Sequence, residues 1–464
     1  MGHLLLTLRA VAAAGLLLAG SACLATAPPA TPDDDALAAL QEAYARSVPP
    51  GEQAQLYHEL LATVLQRVKR SHAKEVDLAA LAAAATKVIE PLPPGAGEPA
   101  EVFKKAVNET LRTLDPQSRY LDARAYDNQR EDASGSFGGL GLEVQASEGA
   151  VRVVAPMPDS PAARAGLETG DLIVRVDERP LAGLPLADAI ALMRGQPGTP
   201  VSITFQRAGA GREFTVSLTR DTIRRQLLRW SVQNGVLVLR LASFSGAVSA
   251  SIEQAIADAT AGNAPRAVVL DLRGNPGGLL REAVRVADAF LSQGEIASMR
   301  GNSPARQRAW QADANELLAG LPMVVLIDGG SASASELVAD ALQHHGRATV
   351  MGTRSFGKGS VQTTYSLGEN KGALKLTTAL YHGPSGQSVH RIGVVPDIEL
   401  LAASTRSAAA RPADAAPPRK AKARVDPAHC AARKERDTAL ACAMAYLRAG
   451  SVDAFVTGLA DSRH

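Results

Sequence analysis

The pattern of apolar residues changes along the chain, and its first part is helical. Between Ala36 and about Leu114, apolar residues recur every three or four positions, which is the spacing of one buried helical face. The residues that carry this pattern are Leu37, Leu40, Tyr57, Leu60, Leu61, Val64, Val68, Val102, Ala106 and Leu111. The pattern predicts a helical N-terminal domain over residues 36–134, after a linker rich in proline and aspartate at 28–34.

Short β-rich runs replace the helical spacing over residues 135–221. Glycine turns separate these runs, and one helix is predicted among them at Leu184–Met193. The predicted strands are Leu140–Val144, Val151–Pro156, Leu172–Val176, Val201–Phe205 and Phe214–Leu218. The segment is therefore predicted to be a small, separate β-rich domain.

Strands and helices alternate from residue 222 to 401. The predicted strands are Val236–Leu241, Ala267–Leu272, Met323–Ile327, Val361–Tyr365 and Leu374–Tyr381. The predicted helices are Ser249–Ala261, Leu279–Leu291 and Ser333–His344. Such alternation is typical of an α/β core with a partly parallel sheet, so the fold class is multidomain α/β.

The pattern fades near the end of the chain. Residues 402–425 are rich in alanine, proline, arginine and lysine and show no periodicity, which predicts a flexible linker. Residues 426–464 return to a short helical pattern that contains Cys430 and Cys442. We interpret them as a small helical tail.

The N-terminus has the composition of an export signal. His3 and Arg9 precede an apolar stretch over residues 10–20, and small residues lead to Cys23, so residues 1–23 are predicted to be a signal peptide. The segment that ends at Cys23 resembles a bacterial lipobox, with Gly20 where leucine is usual. Lipidation of Cys23 would place the protein in the bacterial cell envelope, at the periplasmic side of a membrane. Ordinary cleavage to a free periplasmic protein is the alternative.

Charge and cysteine content narrow the functional classes. The 464 residues carry a net charge of +2, so no basic field for nucleic acid is present. No metal-binding His/Cys motif occurs, and we predict neither a metal nor another cofactor. Besides Cys23, the only cysteines are Cys430 and Cys442. In an exported protein they are predicted to form a disulfide, with two buried thiols as the alternative.

A glycine turn begins the β-rich segment and suggests peptide binding. Backbone N–H groups of Leu140, Gly141 and Leu142 can bind a terminal carboxylate, and the strand that follows can pair with an extended peptide. A second block follows at Ser160–Leu167 and Gly170–Ile173. Together the two blocks resemble a PDZ domain of the permuted type found in bacterial proteases. A purely structural hairpin glycine is the alternative.

A serine and a lysine suggest hydrolytic chemistry. Ser333 follows the apolar run Val324–Ile327 at a predicted strand-to-helix turn, and Lys358 lies between two glycines, shortly before Gln362. A serine nucleophile needs a base, and lysine can be that base only if burial keeps it neutral.

Each of these residues also has an ordinary structural interpretation. Ser333 and Glu336 fit a capping box, and Ser331 and Ser335 are equally good hydroxyl groups. Lys358 fits a solvated loop lysine and Gln362 a polar strand residue.

Two other kinds of site match the sequence in part. Residues 352–358 match most of a phosphate-binding loop, but Gly359 stands where that loop needs serine or threonine. For a Ser/His/Asp triad, His344 and His345 would lie about 16 Å along the helix from Ser333, too far for a hydrogen bond. His382 and His390 are not excluded by the sequence.

An ordered set of motifs resembles the carboxy-terminal processing proteases, also called tail-specific proteases, over residues 40–400. The motifs, besides the PDZ-like blocks, are Leu114–Leu121, Asp271–Gly278, Gly330–Glu336, Gly357–Gln362, Pro384–Gly386 and Pro396–Ile398. The resemblance implies a serine endopeptidase with Ser333 as nucleophile, Lys358 as base and Gln362 orienting the lysine amine. It implies an oxyanion hole formed by backbone N–H groups of Ala334 and of either Gly277 or Gly278.

The resemblance also implies partners. Protein or peptide substrates with apolar C-termini would be recognised by the PDZ-like domain, an adaptor protein could assist, and the helical region would form a homo-oligomer. The alternative function is a catalytically silent PDZ adaptor.

Overall fold

The computed structural model describes residues 31–401 except 148, 208, 211 and 303, together with residues 420–430 and 436–461. The signal segment and Cys23 lie outside the described residues. The N-terminal region contains helices α1 to α5 and one short strand. Their bounds are α1 Pro32–Ser47, α2 Glu52–Ser71, α3 Leu78–Ile89, α4 Pro99–Arg112, β1 Arg119–Leu121 and α5 Ala123–Ser134.

Helix α1 begins inside the segment predicted as a linker at 28–34. Thr31 caps it by accepting a hydrogen bond from the Asp34 N–H, and Asp34 returns a bond to the Thr31 backbone. Pro32 occupies the first helical position, where a missing N–H costs nothing. Capping residues therefore override the loop-like composition of this stretch.

The helical N-terminal region does not form a separate hydrophobic core. Strand β1 pairs antiparallel with β18 (Ala373–His382) of the core. Leu374 and Leu376 of β18 are fully buried in the same apolar cluster as Phe103 of α4 and Tyr44 of α1. The N-terminal helices and the core thus share one hydrophobic interior.

The β-rich segment forms a six-stranded antiparallel sheet with an apolar interior of its own. Its strand order is β3-β4-β5-β7-β8, with β6 beside β5, and β2 and β9 form a separate pair. The bounds are β2 Ser136–Gly139, β3 Leu142–Ser147, β4 Ala150–Pro156, α6 Pro161–Arg164, β5 Leu172–Val176, β6 Arg179–Pro180, α7 Leu186–Met193, β7 Pro200–Gln206, β8 Glu213–Thr219 and β9 Asp221–Arg224.

The core is built on a seven-stranded sheet in the order β10-β11-β12-β15-β16-β19-β20. All neighbours from β11 to β20 are parallel, and β10 is antiparallel, which confirms the α/β fold class. Helices α8, α9 and α10 contribute to the apolar cluster on one face. The bounds are β10 Leu228–Gln233, β11 Val236–Leu241, α8 Val248–Ala261, β12 Ala267–Asp271, α9 Leu280–Asp288, β15 Met323–Ile327, α10 Ala334–His344, β16 Thr349–Gly352 and β19 Ile398–Leu400.

A second core sheet is antiparallel. It runs in the order β1-β18-β13-β14, and β17 also pairs with β18. Strands β13 (Glu295–Gly301), β14 (Arg308–Gln311) and β17 (Ser360–Ser366) complete it. This sheet brings the segment around Lys358 next to the N-terminal region.

The end of the chain belongs to the core, which corrects the predicted linker at 402–425. Strand β20 (Ala423–Val425) lies within that range and pairs parallel with β19; residues 402–419 are outside the described part. Helices α11 (Thr438–Ala449) and α12 (Val452–Asp461) follow. Buried side chains of this tail, including Cys442 and Phe455, join those on the second face of the seven-stranded sheet. The tail therefore covers a face that would otherwise be open to water.

No single helix among the described residues is long and apolar enough to cross a membrane. Helices α11 and α12 reach that length only together, and they are bent by 113°.

Cys430 and Cys442 form a disulfide within the tail. Reduction is expected to lower the free energy of unfolding by about 3 kcal/mol, because the bond closes a loop of some dozen residues in the unfolded chain. Denaturant unfolding with and without reductant measures this difference. A double variant, Cys430→Ala and Cys442→Ala, should be insensitive to reductant. Two free thiols in oxidised wild-type protein, detected by the mass added on alkylation, would contradict the bond.

Candidate active site

Ser333 occupies a strained turn between β15 and α10. Its backbone has φ 57° and ψ −111°, a conformation that non-glycine residues rarely adopt. The residue is partly exposed and immediately precedes the first residue of α10. The positive end of the α10 dipole therefore lies at the Ser333 side chain.

The two neighbouring serines are buried, and their hydroxyl groups already make hydrogen bonds. The Ser331 hydroxyl donates to the Leu272 carbonyl at 2.8 Å, and the Ser335 hydroxyl donates to the Asn275 carbonyl at 2.8 Å. Both residues are fully buried. Of the three serines in the motif, Ser333 is the one that solvent and substrate can reach.

The carboxylate of Glu336 joins the turn at Ser333 to the loop at Lys358. Its Oε2 accepts the Ser333 N–H at 2.8 Å and the Lys358 N–H at 2.7 Å. Its Oε1 accepts the Ser355 hydroxyl and the Gly357 N–H, each at 2.6 Å. Glu336 accepts the Ser333 N–H as in the predicted capping box, whereas no hydrogen bond to the Ser333 hydroxyl completes it, so the hydroxyl remains available for a chemical role. Burial raises the pKa of the Glu336 carboxyl, against the effect of these hydrogen bonds.

The Tyr381 hydroxyl makes a second connection between the same two segments. It lies 2.8 Å from the Ser333 carbonyl oxygen and 2.8 Å from the Lys358 carbonyl oxygen. Burial raises the pKa of Tyr381, so the phenol stays protonated and remains a donor. The positions of Ser333 and Lys358 are thus set by two shared side chains.

Lys358 is half-buried, and its surroundings favour the neutral amine. Burial lowers the pKa of Lys358, the Arg119 charge lowers it further, and Glu336 opposes them. Within the described chain its amine makes no hydrogen bond to Ser333 or Gln362. The Gln362 amide instead donates to the Ser360 hydroxyl at 3.2 Å. The structure therefore brings the Ser333 and Lys358 backbones together without a hydrogen bond between their side chains.

The glycine loop after β12 lies against the turn at Ser333. A Cβ on Gly277 would be 2.9 Å from the Ser333 Cβ and 2.9 Å from the Ala334 nitrogen. The Gly277 N–H already donates to the Asn275 side chain at 2.9 Å. The N–H groups of Gly278 and Ala334 have no acceptor within the described residues. Two unsatisfied backbone donors thus lie near the Ser333 side chain.

The PDZ-like segment contains an apolar groove beside its glycine turn. The groove holds about 180 Å³, and its apolar lining includes Leu140, Leu142, Val144, Ile190 and Met193. The N–H groups of Leu140 and Gly141 have no acceptor in the described chain. Gly141 has φ 71°, and a Cβ there would lie 2.3 Å from the Ser160 Cβ, so the turn requires glycine.

Comparison with known proteins establishes the family. The profile of peptidase family S41 matches residues 235–400, and a PDZ domain profile matches residues 152–207. A carboxy-terminal-processing protease of Bartonella bacilliformis is 44% identical over 301 residues, which are 64% of this chain and 69% of that protein. The chain belongs to the carboxy-terminal processing proteases. The family predicted from the motifs is confirmed, and with it a serine-type peptidase.

Other carboxy-terminal processing proteases are more distant. The processing protease CtpA of Bacillus subtilis is 31% identical over 63% of this chain and 63% of its own length. A solved photosystem II D1 C-terminal processing protease is 28% identical, with a TM-score of 0.48 over 76% of this chain and 94% of that chain.

Sequence reasoning missed three residues that organise this peptidase site. Glu336 was interpreted only as a helix cap, and Asn275 and Tyr381 had no role. Asn275 is fully buried, and its carbonyl accepts bonds from the Ala332 N–H and the Ser335 hydroxyl. The capping motif was a signal for Glu336, whereas Tyr381 lies in an ordinary apolar strand pattern.

The histidines that were the other candidate bases do not contact the Ser333 hydroxyl through a hydrogen bond. His345 Nε2 contacts the Glu295 carbonyl at 2.7 Å, and Nδ1 of both His382 and His390 lacks any partner among the described residues. None of these three side chains forms a hydrogen bond to Ser333.

Substitution Gly278→Ala is expected to lower kcat by about 10²-fold or more. Gly278 has φ 148°, and a Cβ there would lie 2.2 Å from the Phe244 carbonyl oxygen, so the loop has to move. Displacing one oxyanion donor typically costs about 10²–10³-fold in kcat. Steady-state cleavage of a fluorogenic peptide measures the loss. Gly329→Ala is the matched control, because a Cβ there meets nothing within 4 Å. Unchanged turnover by Gly278→Ala would contradict a role for this loop.

Proposed function

We propose that the protein is an endopeptidase that acts through an acyl-enzyme formed on Ser333. The neutral Lys358 amine takes the Ser333 proton as the hydroxyl attacks the scissile carbonyl. The resulting ammonium gives its proton to the leaving amine, and a water then hydrolyses the ester. The observation that supports this most directly is the partly exposed Ser333 on a strained turn, held to the Lys358 loop by Glu336. Gln362 is proposed to orient the lysine amine when substrate is bound.

The oxyanion hole is proposed to consist of the N–H groups of Gly278 and Ala334. Gly277 was the other candidate, but its N–H is already used by Asn275. Ala334 is the first residue of α10, where backbone N–H groups have no acceptor within the helix. Both donors would stabilise the negative charge that develops on the carbonyl oxygen.

The PDZ domain is proposed to bind apolar C-terminal tails of protein substrates. Unsatisfied N–H groups at Leu140 and Gly141, together with Leu142, would hold the terminal carboxylate, and the groove would take apolar side chains. A substrate with an amidated C-terminus is expected to be cleaved at least about tenfold more slowly, since it loses charge-assisted hydrogen bonds. Equal rates for free and blocked tails would contradict this role.

The deciding experiment is proteolysis of an unfolded protein with an apolar tail by wild type, Ser333→Ala and Lys358→Ala. Cleavage by wild type alone supports the Ser/Lys mechanism. If the wild type neither cleaves nor reacts at Ser333 with a serine-directed probe, the PDZ adaptor is the better interpretation.

The protein is further proposed to act in the cell envelope, anchored by lipid on Cys23, and to form a homo-oligomer through its helical region. Expression in cells fed a labelled fatty acid tests the anchor, with Cys23→Ala as control. Light scattering of the mature protein tests the assembly.

A further inference from the structure

Two cationic side chains share one face of the antiparallel core sheet with Gln362. Arg119 of β1 lies directly opposite Lys375 of β18, and Lys375 lies opposite Thr364 of β17. Gln362 pairs with Thr377, two residues further along β18. Directly paired residues project from the same face, and diagonal neighbours are about 7–8 Å apart. Arg119 and Lys375 therefore lie on the side of the sheet that carries Gln362.

Both cations lie close to Lys358. Burial, together with the charges of Arg119 and Lys358, lowers the pKa of Lys375 to about 8. The Arg119 charge also lowers the pKa of Lys358. These mutual effects place the three charges within electrostatic range of one another.

Neither cation has a counter-ion among the residues that the structure describes. Lys375 is half-buried, yet within the described chain neither it nor Arg119 makes an ion pair or a side-chain hydrogen bond. A cation withdrawn from water without a partner is unfavourable, so such groups are normally paired. The surroundings of the half-buried Lys375 thus favour an anion, which the described residues do not supply, and the exposed Arg119 lies directly beside it.

The nearby carboxylates already bind other side chains. Asp115, which contacts β18 through the Thr377 hydroxyl, accepts further bonds from Ser118 and from His72. Asp122, just after β1, pairs with Lys104 at 3.0 Å. The charge of Arg119 and Lys375 is therefore available to a ligand.

We propose that Arg119 and Lys375 form a carboxylate-binding site beside Lys358, and that a carboxylate of the peptide being cleaved occupies it. This inference rests on the proposed function. Arginine offers a planar fork of donors and lysine a compact charge, which together suit a carboxylate. The carboxylate has two sources, the free C-terminus of a substrate or an acidic side chain near the scissile bond.

The test compares matched peptide pairs. One pair differs only in a free or an amidated C-terminus, and the other only in glutamate or glutamine near the cut. For the pair that supplies the bound group, wild-type kcat/KM should favour the carboxylate by about tenfold or more, as for a charge-assisted contact. Lys375→Met and Arg119→Gln should reduce this ratio to below about threefold, and Lys375→Arg should retain most of it.

The ratio isolates the site from other effects. Lys375→Met also changes the charge around Lys358, but this alters cleavage of both peptides equally. A preference that arises in the PDZ groove persists in the variant, so only the part lost in Lys375→Met belongs to Arg119 and Lys375. Lys371→Met, which removes a lysine from the loop between β17 and β18, is the matched control and should keep the wild-type ratio.

Affinity provides a measurement that does not depend on turnover. The same peptide pairs are titrated into Ser333→Ala, with and without Lys375→Met, and the ratio of Kd values should follow the pattern above. Ratios that Lys375→Met leaves unchanged for both pairs would overturn the proposed site. If wild type fails to react with a serine-directed probe, the Ser/Lys assignment fails, while the Kd ratios still decide whether Arg119 and Lys375 bind a carboxylate.

Discussion

Lys358→Ala is expected to lower kcat for peptide cleavage by about 10²–10⁴-fold, the usual contribution of a general base. The overall fold should persist, because the Lys358 side chain makes no hydrogen bond or ion pair within the described chain. Lys358→Arg should be equally inactive, since a guanidinium stays protonated at all accessible pH values. Circular dichroism and the thermal midpoint show whether the fold is retained.

The role of Lys358 as base also predicts how kcat/KM changes with pH. A lysine acts as base only when neutral, so kcat/KM should rise with pH up to the pKa of Lys358 and then level off. Burial lowers that pKa, so the plateau should begin below the pH at which an ordinary lysine loses its proton. Lys371→Met should leave the profile unchanged. Full activity of Lys358→Ala at any pH would exclude lysine as the base.

Glu336→Gln is expected to be nearly as damaging as loss of the base. Each carboxylate oxygen accepts two bonds, so an amide nitrogen in place of either oxygen leaves two buried donors without an acceptor. Each such donor costs about 1–3 kcal/mol. One amide orientation would release the N–H groups of both Ser333 and Lys358. Displacement of about 1 Å at a reacting group can cost about 10²-fold in rate, so kcat/KM should fall by at least that factor.

Glu282→Gln is the matched control for this effect. Glu282 is also buried and accepts bonds from the Ser249 backbone and hydroxyl, but it contacts neither Ser333 nor Lys358. Its variant should lose stability while kcat/KM stays within a few-fold of wild type. Chemical denaturation and peptide cleavage measured on both variants separate the two outcomes. Equal kcat/KM for wild type and Glu336→Gln would show that the shared carboxylate does not position the pair.

The central strands and helices of the α/β core could be predicted from the sequence, whereas β10 and β19 were not predicted. Val236–Leu241 and Met323–Ile327 are strands with the predicted bounds, because fully buried parallel strands appear as short, continuous apolar runs. Strands β13 and β14 were missed, since their alternation is interrupted by charged and polar residues. The linker predicted at 402–425 extends too far, because β20 lies within it. This strand is only three residues long and depends on its pairing with β19.

The site residues that belong to a sequence motif could be predicted. Those that reach the site only through the fold could not. Ser333 and Lys358 were selected by the match to the ordered family motifs, since local pattern alone left Ser331 and Ser335 as equal candidates. Tyr381 and Lys375 lie on β18, which pairs with β17 and also with the sequence-distant strands β1 and β13, so their proximity to the site follows from strand register. Local patterns do not encode such register.

Because the tail covers the second face of the seven-stranded sheet, this face stays uncovered until the tail has been synthesised. Val238, Val269 and Leu326 are buried on that face together with Cys442 and Phe455, which belong to the last described segment. While the ribosome is still making residues 423–461, a nascent chain would present this apolar face uncovered and prone to aggregation. The second face of the seven-stranded sheet is therefore fully covered only after translation has passed this segment.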